Sequence, residues 1–205
     1  MIDRVPMPGV FVTGTDTDVG KSVASAWLLQ QWQADYWKPI QSGLEGATDT
    51  DVVSHLAGLS ASRVHPERFR LQAPMSPHAS AALEGVSIQL EDFQRPQTTA
   101  PLVVEGAGGV LVPINDQYTV LDLMVKLALP VVVVTRTGLG TINHTLLTLQ
   151  ALKARGLRVM GLIACGAEHP SNFKALKHYG EVPILAHIPV LQPLTPETLA
   201  SVAWL

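Results

Sequence analysis

Disulfides, clustered positive charge and long apolar runs are all missing from this sequence. The 205 residues include a single cysteine, Cys165, so no disulfide can form within the chain. The formal net charge is -3 and lysines and arginines are not clustered, which argues against a nucleic-acid partner because phosphate backbones require clustered positive charge. The longest apolar runs, such as residues 130–134, are far shorter than the roughly 20 residues of a membrane-spanning helix, so no membrane partner is expected. The chain does not open with a basic stretch followed by an apolar run, and we therefore expect a cytoplasmic protein.

Short apolar strands alternate with amphipathic helical patterns along a chain that is 47% hydrophobic. Continuous apolar runs are typical of strands buried on both faces of a parallel sheet. The predicted strands cover residues 10–13, 102–105, 131–135, 158–164 and 183–188, and the predicted helices cover residues 21–33, 119–129 and 143–154. This alternation predicts an α/β fold, with a single-domain, doubly wound and mostly parallel sheet over residues 1–205. Residues 60–97 contain prolines and short helix signals but no clear strand, and we expect them to pack on the sheet as an excursion.

The loop after the first predicted strand has the features of a phosphate-binding loop. Its sequence at residues 14–22, GTDTDVGKS, follows a strand and runs directly into a helix, as in P-loop NTPase-like folds. Backbone N–H groups at a helix start point towards an anion, Lys21 would neutralise the β- and γ-phosphates of ATP, and Ser22 would bind Mg²⁺. The loop is one residue longer than the standard pattern. Its two acidic residues, Asp16 and Asp18, must point away from the nucleotide or towards a cation.

A lysine and two aspartates follow in the next loop. Pro39 restricts Lys38 to an extended conformation, and a lysine at a strand end beside a phosphate loop can stabilise the charge of phosphoryl transfer. The alternative, a solvated lysine at a strand terminus, remains open on these residues alone. Asp49 and Asp51 begin a short helix, where an acidic residue is favourable, and either could also provide a metal ligand.

An acidic residue ends the second apolar strand. Glu105 follows residues 102–104 and precedes the sequence GAGG, whose glycines allow a ligand to approach the backbone closely. A carboxylate at the end of a buried strand is costly without a partner, so Glu105 needs a metal ion or a cation. We predict that it contributes a second contact to Mg²⁺.

Six short motifs occur in a fixed order along the chain. They are TGTDTDVGKS at residues 13–22, KPIQSG at 38–43, SPH at 76–78, EGAGG at 105–109, GTINH at 140–144 and IP at 188–189. This ordered set resembles the dethiobiotin synthetase family over nearly the whole chain. The longer phosphate loop is that family's own version of the motif.

The resemblance implies a homodimeric P-loop-type enzyme, an ATP-dependent cyclo-ligase of biotin synthesis. Its substrates would be 7,8-diaminopelargonic acid, CO₂ and ATP, with Mg²⁺. One amine captures CO₂ as a carbamate, ATP phosphorylates the carbamate, and the second amine attacks the resulting mixed anhydride to close the ring. Because the substrate's own nitrogen attacks, the lack of a Cys/His or Ser/His/Asp arrangement in the sequence is consistent with this chemistry.

The resemblance also implies roles for individual residues. The catalytic residues would be Lys38, Lys21 and Thr17. The nucleotide-binding residues would be Asp18, Val19, Gly20, Lys21, Ser22, Val23, Cys165, Pro189, Val190 and Leu191. The substrate-binding residues would be Ser42, Gly108, Gly140, Thr141, Ile142 and Asn143, the last four binding the distal carboxylate across the dimer interface. The Mg²⁺ ligands would be Ser22, Asp51 and Glu105, with Asp51 preferred to Asp49 because of its place before the apolar part of its helix.

One position departs from the family pattern. Cys165 stands where the family often has an asparagine that binds the adenine edge, and a thiol is a poorer hydrogen-bond partner than an amide. We therefore expect weak selection for adenine, so that CTP and GTP also serve as phosphoryl donors.

Two other classes of P-loop protein are possible alternatives. Cobyrinic acid diamide synthases take ammonia from a glutaminase domain, for which 205 residues leave no room. ParA/MinD-like ATPase switches carry a signature lysine five residues before the P-loop lysine, where this chain has Asp16. Both alternatives are less consistent with the sequence than a synthetase.

Overall fold

Strands form the centre of the protein, whose computed structural model describes residues 8–205. They are β1 (Gly9–Gly14), β2 (Asp35–Trp37), β3 (Ile40–Ser42), β4 (Val64–His65), β5 (Phe69–Leu71), β6 (Leu102–Gly109), β7 (Val131–Arg136), β8 (Val159–Cys165) and β9 (Ile184–Ile188). Seven of them form one sheet in the order β4-β2-β6-β1-β7-β8-β9, with every neighbouring pair parallel. The remaining two, β3 and β5, form a separate parallel pair. The predicted α/β fold with a mostly parallel sheet is confirmed.

Helices connect the strands and cover the sheet. They are α1 (Lys21–Trp32), α2 (Asp49–Ala57), α3 (Pro77–Leu83), α4 (Val120–Leu127), α5 (Thr141–Ala154), α6 (Pro170–Gly180) and α7 (Pro196–Ala200). No helix among residues 8–205 is both long enough and apolar enough to cross a membrane.

Each face of the sheet carries its own apolar core. Phe11 of β1 packs in one core with Leu123 of α4 and Leu152 of α5. Val12, the next residue of the same strand, belongs to the opposite core with Trp27 of α1. Because successive side chains of a strand point to opposite faces, a strand covered on both sides must be apolar throughout. The two cores thus explain the continuous apolar runs of the sequence.

The predicted elements match the observed ones apart from their ends. Strand β6 is longer than residues 102–105, because its glycine-rich end continues to pair with β1 up to Gly109. Helix α5 begins at Thr141, before the predicted residue 143. Helix α6, with Pro170 in its first turn, was not predicted from the sequence.

Residues 60–97 contain two strands, which corrects the expectation of none. Strand β4 pairs with β2 at the edge of the main sheet, and β5 pairs with β3. These strands have two and three residues, too few for a hydrophobic period to be recognised. The β3–β5 pair is important for the site because it fixes residues 40–42 beside the phosphate loop.

Candidate active site

A cleft of about 750 Å³ opens where β1, β3 and β6 end. The carboxyl ends of parallel strands are where open α/β sheets bind ligands. The lining residues come from five segments of the chain and are Thr17, Asp18, Gly20, Lys21, Ser22, Val23, Lys38, Ile40, Gln41, Ser42, Asp49, Pro74, Met75, Ser76, Pro77, Glu105, Ala107, Gly108 and Val112. Most residues predicted for phosphate, metal and catalysis therefore share one cavity.

The loop after β1 is shaped to bind an anion. Gly20 caps α1 with a φ of 96°, a left-handed conformation that favours glycine. The first backbone bond of the helix runs from the Ala24 N–H to the Gly20 carbonyl, so the preceding N–H groups point outwards without a backbone acceptor among residues 8–205. The Lys21 ammonium donates to the Asp16 carbonyl at 2.9 Å. Burial, and then the charge of Lys38, lower the pKa of Lys21, as expected for a lysine that awaits a phosphate.

Of the two acidic residues of this loop, Asp16 is paired with a cation and Asp18 is exposed in the lining of the cleft. The Asp16 carboxylate lies 3.7 Å from the Arg136 guanidinium, which also donates to the Thr17 carbonyl at 2.9 Å. Asp18 is exposed, with a φ of 55°. Arg136 was not predicted as a site residue, and no motif in the sequence indicated it.

Buried charges converge opposite the phosphate loop. Lys38 is 2% exposed, and its ammonium lies 2.5 Å from Asp49 Oδ2 and 3.2 Å from Glu105 Oε1. It also donates to the Gly106 carbonyl at 3.1 Å. Burial lowers the pKa of Lys38, but the two carboxylates outweigh that effect and the net pKa is raised. The side chain is therefore a fixed positive charge at neutral pH. The alternative left open by the sequence, a solvated lysine at a strand terminus, is excluded by its burial.

Oxygen atoms suited to a divalent ion surround Ser22. Its hydroxyl donates to Glu105 Oε1 at 3.0 Å, and Asp49 Oδ1 lies 3.3 Å away as a second acceptor within reach of the same proton. Glu105 is fully buried, and its other oxygen accepts a hydrogen bond from the Tyr36 hydroxyl at 3.2 Å. Hard oxygen donors of this kind are what Mg²⁺ prefers. Among residues 8–205 no group of three His, Cys, Asp or Glu side chains forms a metal centre. An ion bound beside Ser22 would use two carboxylates and a hydroxyl.

The preference for Asp51 over Asp49 is corrected by this geometry. Asp51 Oδ2 accepts from the backbone N–H of Thr48 at 2.9 Å and from its hydroxyl at 2.7 Å, closing a capping box at the start of α2. Asp49 is the aspartate that faces Ser22 and Lys38. The signal was present in the sequence, because Thr at the cap and an acid three residues later is a capping pattern.

Ser42, Thr17 and Gly108 lie along the rest of the cleft. The Ser42 hydroxyl is buried and has no hydrogen-bond partner among the described residues. Gly108 has a φ of 64°, and a Cβ there would lie 2.7 Å from a methyl of Val112 and 3.7 Å from the Thr17 hydroxyl. A larger residue would thus fill the space between the phosphate loop and the end of β6.

Cys165 packs against the phosphate loop. A Cβ on Gly20 would lie 2.9 Å from its sulfur, and burial raises the pKa of the thiol to about 12. The thiol is therefore neutral. The Gly166 N–H donates to the Ile188 carbonyl at 3.0 Å, which brings Pro189, Val190 and Leu191 next to Cys165, with Val190 66% exposed.

The turn at residues 140–143 lies outside the cleft of one chain. Thr141 is buried, and its hydroxyl donates to the Arg136 carbonyl at 2.5 Å, so this side chain is used within the fold. Asn143 is exposed at the first turn of α5. None of Gly140, Thr141, Ile142 and Asn143 lines the cavity that holds Lys38.

The chain is similar to known proteins over almost its whole length. The pattern of a family described as an AAA domain matches residues 8–198. The chain is 52% identical over 199 residues to an ATP-dependent dethiobiotin synthetase of Paramagnetospirillum magneticum, covering 97% of this chain and 95% of that protein. It is 46% identical over 194 residues to the same enzyme of Rhodopseudomonas palustris, covering 95% and 93%. Among solved structures, a ParA family ATPase from Chlorobium tepidum has a TM-score of 0.52 with 14% identity, covering 94% of this chain and 88% of that one, which is a likeness of fold alone.

Proposed function

The chain belongs to the AAA-domain family and, within it, to the ATP-dependent dethiobiotin synthetases, and we propose on that premise that it uses ATP to close the ureido ring of dethiobiotin. One observation supports this reaction most directly. A single cleft holds Lys21 of the phosphate loop and, beyond it, Lys38 and the unpartnered Ser42 hydroxyl. A nucleotide and a second, polar substrate can therefore meet there.

Lys21 and the N–H groups at the start of α1 bind the nucleotide phosphates. The lysine side chain is already held in position by the Asp16 carbonyl at 2.9 Å, so little further ordering is needed when a phosphate binds. A Cβ on Gly108 would lie 3.7 Å from the Thr17 hydroxyl, so Thr17 is close to the end of β6, where the γ-phosphate would meet the second substrate.

Lys38 stabilises the charge that develops during reaction. One amine of 7,8-diaminopelargonic acid adds to CO₂ to form a carbamate and releases a proton. The carbamate oxygen attacks the γ-phosphorus of ATP, expelling ADP and forming a carbamic–phosphoric anhydride. The second amine then attacks the carbamate carbon, closes the ring and expels phosphate. A buried ammonium with a raised pKa stays positive through all these steps, and a preorganised charge in a water-poor site is effective catalytically.

Mg²⁺ fits the oxygens around Ser22, and we assign Ser22, Asp49 and Glu105 as the residues that would hold it. Both carboxylates lie within hydrogen-bond distance of Ser22, at 3.3 Å and 3.0 Å, so the three side chains already converge. When bound, the ion supplies positive charge to the phosphate oxygens.

The substrate's distal carboxylate binds at the start of α5 of a second copy of the chain. The backbone N–H groups of Ile142 and Asn143 have no backbone acceptor among residues 8–205, and a helix start favours an anion. Since residues 140–143 lie outside the cleft of their own chain, a homodimer is required for them to complete the site.

We place this enzyme, an ATP consumer with a free thiol, in the cytoplasm.

Cys165 makes the enzyme tolerant of the base. A neutral, half-buried thiol offers little to the hydrogen-bonding edge of adenine. We expect initial rates with ATP, CTP and GTP to lie within about a hundredfold of each other, since one missing hydrogen-bond contact is worth a few kcal/mol at most. A larger preference for ATP contradicts this part of the proposal.

The first experiment measures phosphate release from ATP and Mg²⁺ with bicarbonate, with and without 7,8-diaminopelargonic acid, while mass spectrometry follows dethiobiotin. Phosphate and dethiobiotin should appear together, and only with the diamine. Lys38→Met should abolish ring formation, whereas Lys126→Met, at an exposed lysine of α4, should leave it unchanged. Phosphate release that is indifferent to the diamine, with no ring product, would instead favour the ATPase switch whose fold this chain shares.

A further inference from the structure

Gln41 makes three hydrogen bonds from a nearly buried position in the wall of the cleft. It is 5% exposed and lies in β3, next to Ser42. Its amide nitrogen donates to the carbonyls of Ser42 at 3.1 Å and Gly43 at 3.2 Å. Its amide oxygen accepts from the backbone N–H of Asp49 at 3.2 Å.

Only one orientation of this amide satisfies its surroundings. Two carbonyl oxygens can only accept, and the Asp49 N–H can only donate, so the nitrogen must face β3 and the oxygen must face α2. Both N–H donors are then used. The side chain keeps no donor for a ligand, and its three hydrogen bonds make it a bridge between two segments of the fold.

The bridge joins two segments that line the cleft, the end of β3 and the start of α2. On one side it holds the backbone of Ser42 and Gly43, at the end of a strand of only three residues. On the other it holds the first residue of α2, whose carboxylate lies 2.5 Å from Lys38 and 3.3 Å from Ser22. No other side chain among residues 8–205 is hydrogen-bonded to both segments.

We propose that Gln41 is a positioning residue that fixes the substrate serine and the metal-binding aspartate relative to each other. This inference rests on the proposed function, because it takes Ser42 as a diamine contact and Asp49 as a Mg²⁺ ligand. Reacting groups must be held to within about 0.5 Å for efficient catalysis, and a short strand and a helix start do not achieve that separately. Loss of the bridge therefore weakens the binding of both ligands. The effect is indirect, because it acts through the positions of Ser42 and Asp49.

Two variants separate the halves of the bridge. Gln41→Met removes all three hydrogen bonds at similar volume, and should raise both the KM for the diamine and the Mg²⁺ activation constant by about tenfold, with a smaller change in kcat. Gln41→Glu keeps an acceptor for the Asp49 N–H but turns a carboxylate towards two carbonyls. It should raise the KM for the diamine while leaving the Mg²⁺ constant no weaker than in the wild type.

Gln30 provides a matched control. Its amide nitrogen also donates to two carbonyls, those of Leu56 at 2.9 Å and Pro196 at 3.0 Å, but it lies outside the cleft. Gln30→Met should lower the Tm as Gln41→Met does and leave both constants unchanged.

The inference is overturned if Gln41→Met, like Gln30→Met, leaves the KM for the diamine and the Mg²⁺ activation constant at wild-type values. It is also overturned if Gln41→Met changes only one of them. Calorimetric binding of Mg²⁺ with ADP provides a second readout that does not need ring closure. If the wild-type protein makes no dethiobiotin, the proposed function fails. The Asp49 half of the bridge is still tested then, because Gln41→Met must weaken Mg²⁺–ADP binding while Gln41→Glu must not.

Discussion

Lys38 lies between two carboxylates in a place that water hardly reaches. Removing a charged group from water is costly unless an opposite charge and hydrogen bonds replace the solvent, and here Asp49, Glu105 and the Gly106 carbonyl do so. The ammonium is thus fixed before any substrate arrives. It shares the cleft with Lys21 of the phosphate loop and with Ser42, so its charge can stabilise phosphoryl transfer from the nucleotide to a second substrate.

The two aspartates at the start of α2 should respond differently to removal. Asp49→Ala should raise the Mg²⁺ activation constant at least tenfold, because it deletes a carboxylate beside Ser22. Asp51→Ala should lower the free energy of unfolding by about 1 kcal/mol through the lost cap and leave the Mg²⁺ dependence unchanged. Activity titrated with Mg²⁺, together with urea unfolding, distinguishes the two. Equal shifts of the Mg²⁺ constant in both variants would contradict the assignment of Asp49.

Tyr36 orients the Glu105 carboxylate through a hydrogen bond of 3.2 Å from its hydroxyl to Oε2. Burial, and then the charge of Glu105, raise the pKa of the tyrosine well above its usual value, so the hydroxyl remains a donor. Tyr36→Phe leaves a buried carboxylate oxygen without this donor, and should cost about 1–3 kcal/mol of stability and weaken Mg²⁺ activation several-fold. Tyr118→Phe, at a hydroxyl without a hydrogen bond among residues 8–205, should change neither quantity in the same urea and Mg²⁺ titrations.

At the scale of elements, an ionic cluster fastens the edge of the sheet. Asp35 of β2 lies 3.2 Å from the Arg63 guanidinium and 3.5 Å from the His65 ring of β4, and it accepts a hydrogen bond from Thr98 at 2.5 Å. Burial raises the pKa of Asp35, but the hydrogen bonds from Thr98 and Arg63 outweigh it and the net pKa is lowered. Strand β4 has only two residues, so this cluster does much to hold it in the sheet.

The lowered pKa of Asp35 gives a defined dependence on pH. A carboxylate whose pKa is lower in the folded state stabilises the fold above its unfolded pKa, about 3.9, and loses that effect as the pH falls through the folded value. Asp35→Asn should therefore be less stable than the wild type at neutral pH, with a gap that narrows below about pH 4. Urea unfolding across this range measures the gap. A gap that stays constant, or one matched by Asp116→Asn at an exposed carboxylate, would be inconsistent with this account.

At the scale of the whole molecule, α5 and the residues just before it expose apolar side chains beside the turn proposed to bind a carboxylate. Leu139 is fully exposed and Leu147 is 56% exposed. Leu147 stands one helical turn after Asn143, so the two share a face of α5. An exposed apolar face next to an incomplete binding site is what a subunit interface requires.

A charge on that face should separate the two subunits of the proposed homodimer. Leu147→Glu should convert a dimer to a monomer in light scattering and raise the KM for the diamine, because burying an unpaired carboxylate in an interface is costly. The matched change Leu83→Glu, at a leucine of α3 that is 71% exposed, should leave mass and KM unchanged. A Leu147→Glu protein that remains dimeric with normal kinetics would show that the interface lies elsewhere.

The fold itself does not decide between a synthetase and a switch. A ParA family ATPase has the same architecture at 14% identity, and the phosphate loop is a shared device. What favours a synthetase here is the set of residues after β2 and at the ends of β3 and β6, where Lys38, Ser42 and Glu105 line the same cleft as Lys21. This chain also has Asp16 at the position where the switch proteins carry their signature lysine, and the Asp16 carboxylate lies 3.7 Å from Arg136.

The sequence by itself determined the layers of the sheet, the phosphate loop and most of the residues around it. Apolar runs of strand length between helical patterns leave few folds available, and residues just after parallel strands must gather at one edge. Lys21 and Glu105 could therefore be assigned to one site from their places along the chain, whereas the roles of Lys38 and Ser42 came from the resemblance to the synthetase family. The excursion at residues 60–97 could not be resolved, because strands of two or three residues exist only through their tertiary partners.

Only the tertiary structure decided which side chains face each other across the cleft. Asp49 and Asp51 are two residues apart on a helix, where such neighbours point in different directions, so one closes the helix cap and the other reaches Ser22. Tyr36, Gln41 and Arg136 act through hydrogen bonds to segments remote in sequence, and no local pattern encodes such a partner. Strand positions follow from local periodicity, whereas the geometry of the site depends on distances that close packing sets to within fractions of an ångström.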